Sequence, residues 1–205
     1  MLEKINAPGF ETLSKADEGV CQNVAALIDG GTTDPVIAEI GVGVGATTRE
    51  LARILDNRGA LHLYDFDSKL QELLADLQEL NYGNVVGFAN TTKYWDSYNW
   101  SLLRQIERSA GPIYDYIYLD GSHLFLHDGL AFMLCDKLLK VGGCIDFDDY
   151  FWSVSKSRWM ADNRHQYMTD EQIEAQQIKL VVENLVIPDP RYEQVTPHKV
   201  FRKIA

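Results

Sequence analysis

The sequence contains little cysteine. It has three cysteines in 205 residues, an odd number, and no two of them have the spacing of a zinc clamp or a redox pair. Reduced thiols are what the cytoplasm maintains, so we expect a cytoplasmic protein. The first residues do not combine a basic start with an apolar run, and no apolar stretch approaches the length of a membrane span. These absences argue against a disulfide scaffold, a secreted protein and a membrane protein.

Positive charge is scarce as well. The chain has 19 Lys and Arg against 30 Asp and Glu, which gives a formal net charge of -11. An acidic surface repels phosphate backbones, and the basic residues are scattered, so nucleic acid is an unfavourable substrate. We expect a single domain over residues 1–205 that acts on a small molecule, with neither nucleic acid nor a membrane as partner. A homodimer is compatible with the sequence, which leaves the oligomeric state open.

Helix-like and strand-like stretches alternate through the first three quarters of the chain. Helical apolar spacing occurs at 16–28, 47–55, 68–80, 100–109 and 126–139. Short buried-strand patterns occur at 36–40, 61–64, 84–88, 114–119 and 144–147. Ala46 and Thr47 are expected to cap the second helix, and Gly142 and Gly143 to end the last one. This alternation predicts an α/β fold, a Rossmann-like doubly wound and mostly parallel sheet, which binds ligands at the carboxyl ends of its strands.

The last quarter of the chain has a different pattern. Residues 151–177 are polar, aromatic and irregular, which fits either a lid over the substrate or a plain surface insertion. Apolar runs at 178–187 and 199–204, with a Pro-Asp-Pro turn between them, predict a closing antiparallel strand pair. Residues 1–33 are expected to form an N-terminal helical segment.

A glycine-rich turn follows the first predicted strand. Gly41, Gly43 and Gly45 alternate with valines just before a helix, so backbone amides can face a ligand. The spacing differs from the dinucleotide pattern G-x-G-x-x-G. Glu39 would repel a pyrophosphate but suits a ligand with an ammonium group, such as the methionine end of S-adenosylmethionine. The alternatives are a tight turn without a ligand and, for Glu39, a surface or capping carboxylate.

Polar residues also stand at the ends of the next two predicted strands. Asp65 follows the glycine turn by about 20 residues, where an acid can accept hydrogen bonds from ribose hydroxyls. It could instead cap the following helix, although Asp67 directly precedes that helix and is the better capper. Asn90 could reach an adenine or be an ordinary turn residue. The pattern predicts an adenosine-binding edge at these positions.

Acidic residues stand at the ends of the fourth and fifth predicted strands. Asp120 follows one, Asp148 and Asp149 follow the other, and neighbouring strand ends lie side by side. Three carboxylates repel each other unless a cation lies among them, and oxygen ligands suit Mg²⁺ or another hard divalent cation. We therefore predict a metal site at these residues; the alternative is that some only cap helices or face water. His123 is the candidate general base, with simple hydrogen bonding as its alternative.

These motifs together resemble the class I S-adenosylmethionine-dependent methyltransferases over about residues 36–150. Three of them carry the broad resemblance: Glu-Ile-Gly-Val-Gly-Val-Gly at 39–45, Tyr-Asp at 64–65, and Leu-Lys-Val-Gly-Gly at 139–143. In the last of these, Val141 stands where the family usually has proline. The Asp-Gly-Ser-His turn that starts at Asp120 and the paired acid after the fifth strand resemble, more narrowly, small-molecule O-methyltransferases, some of them magnesium-dependent.

The resemblance implies methyl transfer to an oxygen of a small molecule. It assigns the cofactor to Glu39, Gly41, Gly43, Gly45, Asp65, Asn90 and Asp120. It makes Asp120 and His123 catalytic, and Asp120, Asp148 and Asp149 the metal ligands. Asp149 stands where catechol-type enzymes have an asparagine, and His123 where they have a lysine. Alternatives are a nitrogen acceptor, a non-catalytic cofactor-binding or scaffold protein, and an NAD-dependent oxidoreductase.

Overall fold

The chain forms one seven-stranded sheet, which a computed structural model describes over residues 1–205. Its strands are β1 Val36–Ile40, β2 Ala60–Phe66, β3 Val85–Asn90, β4 Tyr114–Leu119, β5 Leu139–Phe147, β6 Tyr192–Thr196 and β7 Val200–Lys203. They lie in the order β3-β2-β1-β4-β5-β7-β6. The first five are parallel, and β7 runs antiparallel to both β5 and β6. The predicted Rossmann-like α/β sheet with a C-terminal antiparallel pair is confirmed.

Five helices pack on the two faces of the sheet; α1 precedes β1, and the other four connect the parallel strands. They are α1 Glu18–Asp29, α2 Ala46–Leu55, α3 Asp67–Glu79, α4 Tyr98–Arg108 and α5 Phe125–Leu138. Apolar residues of α1, α2 and α3 share one core with Ile37 of β1, whereas those of α4 and α5 share a second core with Ala38. Successive strand residues point to opposite faces, so β1 contributes to both cores. None of the helices has the length and apolar character needed to cross a bilayer.

Two details of the predicted helix ends are wrong. Helix α2 is capped by Gly45 without a side-chain hydrogen bond, while Thr47 accepts a hydrogen bond from the Asp17 amide at 3.1 Å. Helix α5 ends at Leu138 and the chain enters β5 at once, so Gly142 and the glycine after it lie inside the strand. Glycine is placed there because the backbone of Gly142 has φ +89° where the register of β5 against β4 shifts.

The strand predicted at 178–187 is wrong. This run forms helix α8, Gln177–Val181, followed by a π-helical turn at Val182–Val186. Ile178 and the valines at three- to four-residue spacing are buried in the core that α5 also lines, and this helical burial outweighs the strand preference of β-branched residues. The antiparallel pair is formed instead by β6 and β7.

The segment 151–177 is irregular, as predicted, with three short helical pieces. They are a 3₁₀ turn at Val154–Lys156 and helices α6 Arg164–Tyr167 and α7 Asp170–Glu174. Val154 and Ile173 are buried and anchor the segment, whereas Trp159 is 85% exposed. The role of this segment as a lid stays a prediction. In the N-terminal segment 1–33, only a 3₁₀ turn at Leu2–Lys4 precedes helix α1.

Candidate active site

A cavity of about 360 Å³ opens where the carboxyl ends of β1, β2 and β4 meet. Six of the predicted site residues line it: Gly41, Gly43, Asp65, Asn90, Asp120 and His123. Four predicted residues lie outside its lining: the cofactor residues Glu39 and Gly45 and the metal ligands Asp148 and Asp149. The fold therefore brings most of the predicted cofactor residues around one cavity, at the edge where parallel α/β sheets bind ligands.

Gly41 follows β1 and lies between the ends of the neighbouring strands β2 and β4. Its amide donates a hydrogen bond to the Tyr64 carbonyl at 2.8 Å, and the Asp120 amide donates one to the Ile40 carbonyl at 2.9 Å. Gly41 has φ +88°, and a Cβ atom there would lie 1.8 Å from the Asp120 carbonyl oxygen. Only glycine fits this position, and the contact fixes the turn against the backbone of Asp120.

The other two glycines of the turn have different roles. Gly43 has φ +53°, and a Cβ there would meet only the Leu13 side chain, at 3.9 Å. It presents bare backbone to the cavity. Gly45 has φ +87°, and a Cβ there would lie 2.5 Å from Leu73. Gly45 is therefore needed for the packing of the turn against α3, outside the lining of the cavity.

Glu39 lies beneath the turn, with only 1% of its surface exposed and its Oε2 atom without a hydrogen-bond partner. Burial raises the pKa of this carboxyl to about 8; the nearby Thr48 hydroxyl lowers it and the carboxylate of Asp65 raises it further. The alternative that Glu39 is a surface carboxylate is thus excluded. A cation that reached Glu39 would stabilise its ionised form.

The buried carboxyl of Glu39 makes the stability of the ligand-free protein depend on pH. Its folded pKa of about 8 lies above the ordinary value of 4.5, so the folded state retains a proton that the unfolded state loses between these values. Its contribution to the free energy of unfolding should therefore fall by about 3–5 kcal/mol as pH rises through that window. Glu39→Gln should remove this loss, so the stability of the variant relative to wild type should increase from pH 5 to pH 8.5.

Chemical denaturation at several pH values measures this difference. A constant difference between the variant and the wild type across the window would show that Glu39 ionises normally.

Asp65 is 6% exposed and holds the turn together as well as lining the cavity. Its Oδ2 accepts hydrogen bonds from the Val42 amide at 3.0 Å and from Lys69 Nζ at 3.1 Å. Its Oδ1 accepts one from the Phe66 amide at 2.6 Å. The sequence did not reveal this role in closing the turn. Each carboxylate oxygen has two acceptor sites, so Asp65 retains capacity for a ligand hydroxyl.

Asn90 is the last residue of β3 and is 4% exposed. Its Oδ1 is buried and has no hydrogen-bond partner, while its Nδ2 makes only a long contact of 3.4 Å to the Thr91 carbonyl. An unpartnered buried amide beside a cavity can bind a polar ligand group. Asp67 does not cap α3, since it accepts a hydrogen bond from Gln71 at 2.8 Å and the helix has no side-chain cap.

Asp120, His123 and Asp149 form a cluster at the ends of β4 and β5. His123 Nε2 lies 3.6 Å from Asp120 Oδ1, and His123 Nδ1 lies 3.3 Å from Asp149 Oδ2. One ligand atom from each residue falls within 4.8 Å of the other two. Burial and the nearby carboxylates of Asp148 and Asp149 raise the pKa of Asp120 well above its usual range. A divalent cation or a proton would relieve this repulsion.

Asp148 is held by a residue that the sequence did not reveal, Lys199. Its Nζ lies 3.0 Å from Asp17, 3.2 Å from Asp146 and 3.8 Å from Asp148. Asp146 is fully buried and also accepts a hydrogen bond from the Tyr116 hydroxyl. Burial alone would lower the pKa of Lys199, but the carboxylates around it outweigh burial and raise it. Lys199 therefore stays charged and neutralises the carboxylates on this side of the cluster.

The turn that carries Asp120 and His123 rests on two further residues that the sequence did not single out. The Tyr98 hydroxyl donates a hydrogen bond to the fully buried Asp128 at 2.5 Å and accepts one from the Ser122 amide at 3.2 Å. A Cβ at Gly121 would lie 2.4 Å from Asp128 Oδ1. The close packing of α4 and α5 against this turn fixes the position of His123.

A second cavity, of about 470 Å³, lies on the other side of the cluster. Its lining includes Asp148, Asp149 and the aromatic run that follows them, together with Lys199 and its neighbours. The Trp152 ring centroid is 5.3 Å from that of His123. Because His123 lines the first cavity and contacts both Asp149 and Trp152, the cluster lies between the two cavities.

The family comparison gives one match. The sequence model of a family described as a methyltransferase domain matches residues 38–150, more than half of the chain. This stretch contains β1 to β5, the glycine turn and the cluster. A comparison with curated proteins finds no match.

Solved structures share the fold at low sequence identity. An O-methyltransferase from Bacillus cereus in complex with SAH is 19% identical, with 100% of this chain and 90% of that chain covered and a TM-score of 0.64. The O-methyltransferase TomG from Streptomyces achromogenes, involved in tomaymycin synthesis and solved with SAM, is 14% identical, with 100% and 89% covered and a TM-score of 0.64. An rRNA methylase from Streptococcus thermophilus is 12% identical, with 91% and 95% covered and a TM-score of 0.57. At these identities the likeness establishes the fold alone.

Proposed function

Because the chain belongs to the methyltransferase-domain family of S-adenosylmethionine-dependent enzymes, we propose that it transfers a methyl group to an oxygen of a small molecule. The observation that carries this proposal is the cluster of Asp120, His123 and Asp149 between two cavities. One cavity lies at the glycine turn and suits the cofactor, and the other suits an acceptor. The net charge of -11 favours a small molecule over RNA, although a neighbour of the same fold is an rRNA methylase.

The cavity at the glycine turn fits S-adenosylmethionine. Gly43 presents bare backbone, Asp65 retains acceptor capacity for a ribose hydroxyl, and the unpartnered amide oxygen of Asn90 suits the adenine. Glu39 is buried beneath the turn, and the positive ammonium and sulfonium end of the bound cofactor would stabilise its ionised form. The cofactor supplies an activated methyl group, so the protein mainly orients the reactants and handles a proton.

His123 is proposed as the general base. It is held between Asp120 and Asp149, and two acidic neighbours stabilise an imidazole that has accepted a proton from a hydroxyl. Its ring lines the cavity at the glycine turn and contacts Asp149 and Trp152, which line the second cavity, so it stands between the proposed sites of the methyl donor and the acceptor. A neutral nitrogen acceptor would also lose a proton on methylation, so the base alone does not distinguish the two acceptor atoms.

The cluster also fits a divalent cation. Asp120 and Asp149 would supply oxygen ligands, and a ring nitrogen of His123 lies within 4.8 Å of both oxygens. The third predicted carboxylate, Asp148, would have to leave Lys199 in order to join them. A bound Mg²⁺ or Mn²⁺ would orient the acceptor hydroxyl and lower its pKa.

We expect excess chelator to lower kcat at least about tenfold and added Mg²⁺ or Mn²⁺ to restore it, because the clustered carboxylates otherwise repel an ionised acceptor. Steady-state rates before and after chelation measure the effect. Full activity in excess chelator would leave His123 and Lys199 as the groups that neutralise the cluster.

Cofactor binding tests the proposal directly through Asp65. Asp65→Ala should weaken S-adenosylhomocysteine binding by about 1–3 kcal/mol, the value of a hydrogen bond to a charged group. Asp67→Ala is the matched control, because Asp67 starts the same helix but does not line the cavity. Calorimetry gives both affinities, and thermal unfolding shows whether loss of the contact to Val42 loosens the turn. Equal affinities for the two variants would show that Asp65 does not hold the ribose.

Two alternative functions predict different results. A non-catalytic binding or scaffold protein would bind S-adenosylhomocysteine but turn over no acceptor, with or without a divalent ion. An NAD-dependent oxidoreductase would bind NAD instead, although Glu39 and the spacing of the glycines disfavour a pyrophosphate. We place the enzyme in the cytoplasm, in keeping with its three free cysteines.

A further inference from the structure

The second cavity, which we call the acceptor cavity, combines an aromatic side with a basic one. Tyr150, Phe151 and Trp152 line it next to Asp149, and Lys156 and residues 197–199 line it as well. Phe147 and Asp148 complete the lining, and Lys199 balances the charge of Asp148. Phe151 is 65% exposed although Tyr150, the residue before it, is buried. Exposed aromatic faces beside a catalytic cluster provide stacking surface for a planar ligand.

The two lysines of the acceptor cavity differ in how their charge is balanced. Lys199 is surrounded by the carboxylates of Asp17, Asp146 and Asp148, so it offers no free positive charge. Lys156 has no carboxylate within 4.0 Å; its Nζ donates a single hydrogen bond, to the Phe151 carbonyl at 2.8 Å. An ammonium group has three donors, so two remain for a ligand.

The charges within the acceptor cavity are also separated in space. Asp149 contacts His123 at one side, whereas Lys156 stands on the 3₁₀ turn that follows the aromatic residues. Lys156 forms no ion pair with Asp149. Its charge lowers the pKa of the Asp149 carboxyl, but burial raises that pKa by more. A ligand anion would be repelled by Asp149 and attracted by Lys156, so the cavity orients a molecule that carries a hydroxyl and an anion at opposite ends.

On the basis of the proposed function, we infer that the methyl acceptor is an anionic aromatic molecule. Its carboxylate or phosphate pairs with Lys156, its ring packs on Phe151 and Trp152, and its hydroxyl faces His123. Lys156 is thus a specificity-determining residue. In a chain with a net charge of -11, an exposed cation that lines the acceptor cavity without an acidic partner is the feature that selects against neutral and cationic acceptors.

Matched pairs of hydroxybenzoates and their hydroxybenzamides test this inference, since the two members of each pair differ only in the charged group. Their affinities are measured by calorimetry on the S-adenosylhomocysteine complex. We expect at least one acid to bind ten times or more tightly than its amide. Lys156→Gln should abolish that preference and Lys156→Arg should preserve it. Lys137→Gln, on an exposed lysine outside both cavities, is the control and should behave as wild type.

The affinity for S-adenosylhomocysteine, measured separately, distinguishes failure of this inference from failure of the proposed function. Unchanged cofactor binding with equal affinities for acids and amides, or with no binding of either, would overturn the anionic acceptor alone. A charge preference that survives Lys156→Gln would also overturn it. Loss of cofactor binding in the wild-type protein would instead remove the proposed function.

Discussion

Replacing His123 by asparagine is expected to lower kcat by about 10²–10⁴-fold, the contribution typical of a positioned acid or base. His123 lines one cavity, contacts Asp149 and Trp152 of the other, and is held between Asp120 and Asp149. His127 and His198 each line a single cavity, and neither pairs with these two carboxylates. Asparagine is the suitable replacement, because His123 has φ +59° and asparagine tolerates the left-handed region. The loss should therefore come from chemistry and not from a misfolded turn.

His165→Asn provides the matched control for this variant. His165 lies in helix α6, is exposed, and lines neither cavity, so its replacement should leave kcat within about twofold of wild type. Thermal unfolding of both variants verifies that the turn is intact. If His123→Asn kept wild-type kcat, neither a base nor a metal ligand could be assigned to this histidine.

Gly41→Ala is expected to be the most destabilising single substitution in the lining of the cavity at the glycine turn. The new methyl group would have to occupy space 1.8 Å from the Asp120 carbonyl oxygen, and the backbone has φ +88°. The left-handed conformation and the overpacking together predict a loss of about 2–5 kcal/mol in the free energy of unfolding. Affinity for S-adenosylhomocysteine should fall at least about tenfold, because relief of the clash displaces the turn from the end of β4.

Gly43→Ala separates the backbone effect from the steric effect. It also places alanine at positive φ, +53°, but its Cβ meets nothing closer than 3.9 Å. We expect a loss of about 1–2 kcal/mol, the cost of the left-handed conformation alone. Denaturant unfolding of the two variants gives the comparison. Similar losses would mean that the Asp120 backbone does not confine Gly41.

The sequence predicted the sheet and most of one cavity because these depend on local patterns. Alternating apolar runs located β1 to β5, and the parallel arrangement then placed Asp65, Asp120 and Asp149 at one edge. The glycine turn was identifiable because its conformation requires glycine whatever the distant contacts are. Its proposed ligand followed from charge, since Glu39 disfavours a pyrophosphate.

The remaining features depend on contacts between distant residues, which local patterns do not encode. The run 178–187 is rich in β-branched residues, so its local pattern predicts a strand. Only its packing against α5 shows that it is a helix. The closing strand predicted at 199–204 is observed as β7, but its predicted partner at 178–187 is wrong, so the sequence offered no reason to bring Lys199 beside Asp148. Tyr98 and Asp128 likewise support the turn that carries His123 only because of the way α4 and α5 pack, which no local pattern shows.

The central claim is that the cavity beside Gly41, Gly43 and Asp65 holds S-adenosylmethionine. A crystal structure of the protein with S-adenosylhomocysteine tests it most directly. We expect the ribose at Asp65, the adenine at Asn90 and the sulfur atom facing His123. Electron density for the ligand elsewhere, or a glycine turn closed over an empty cavity at saturating ligand, would contradict it.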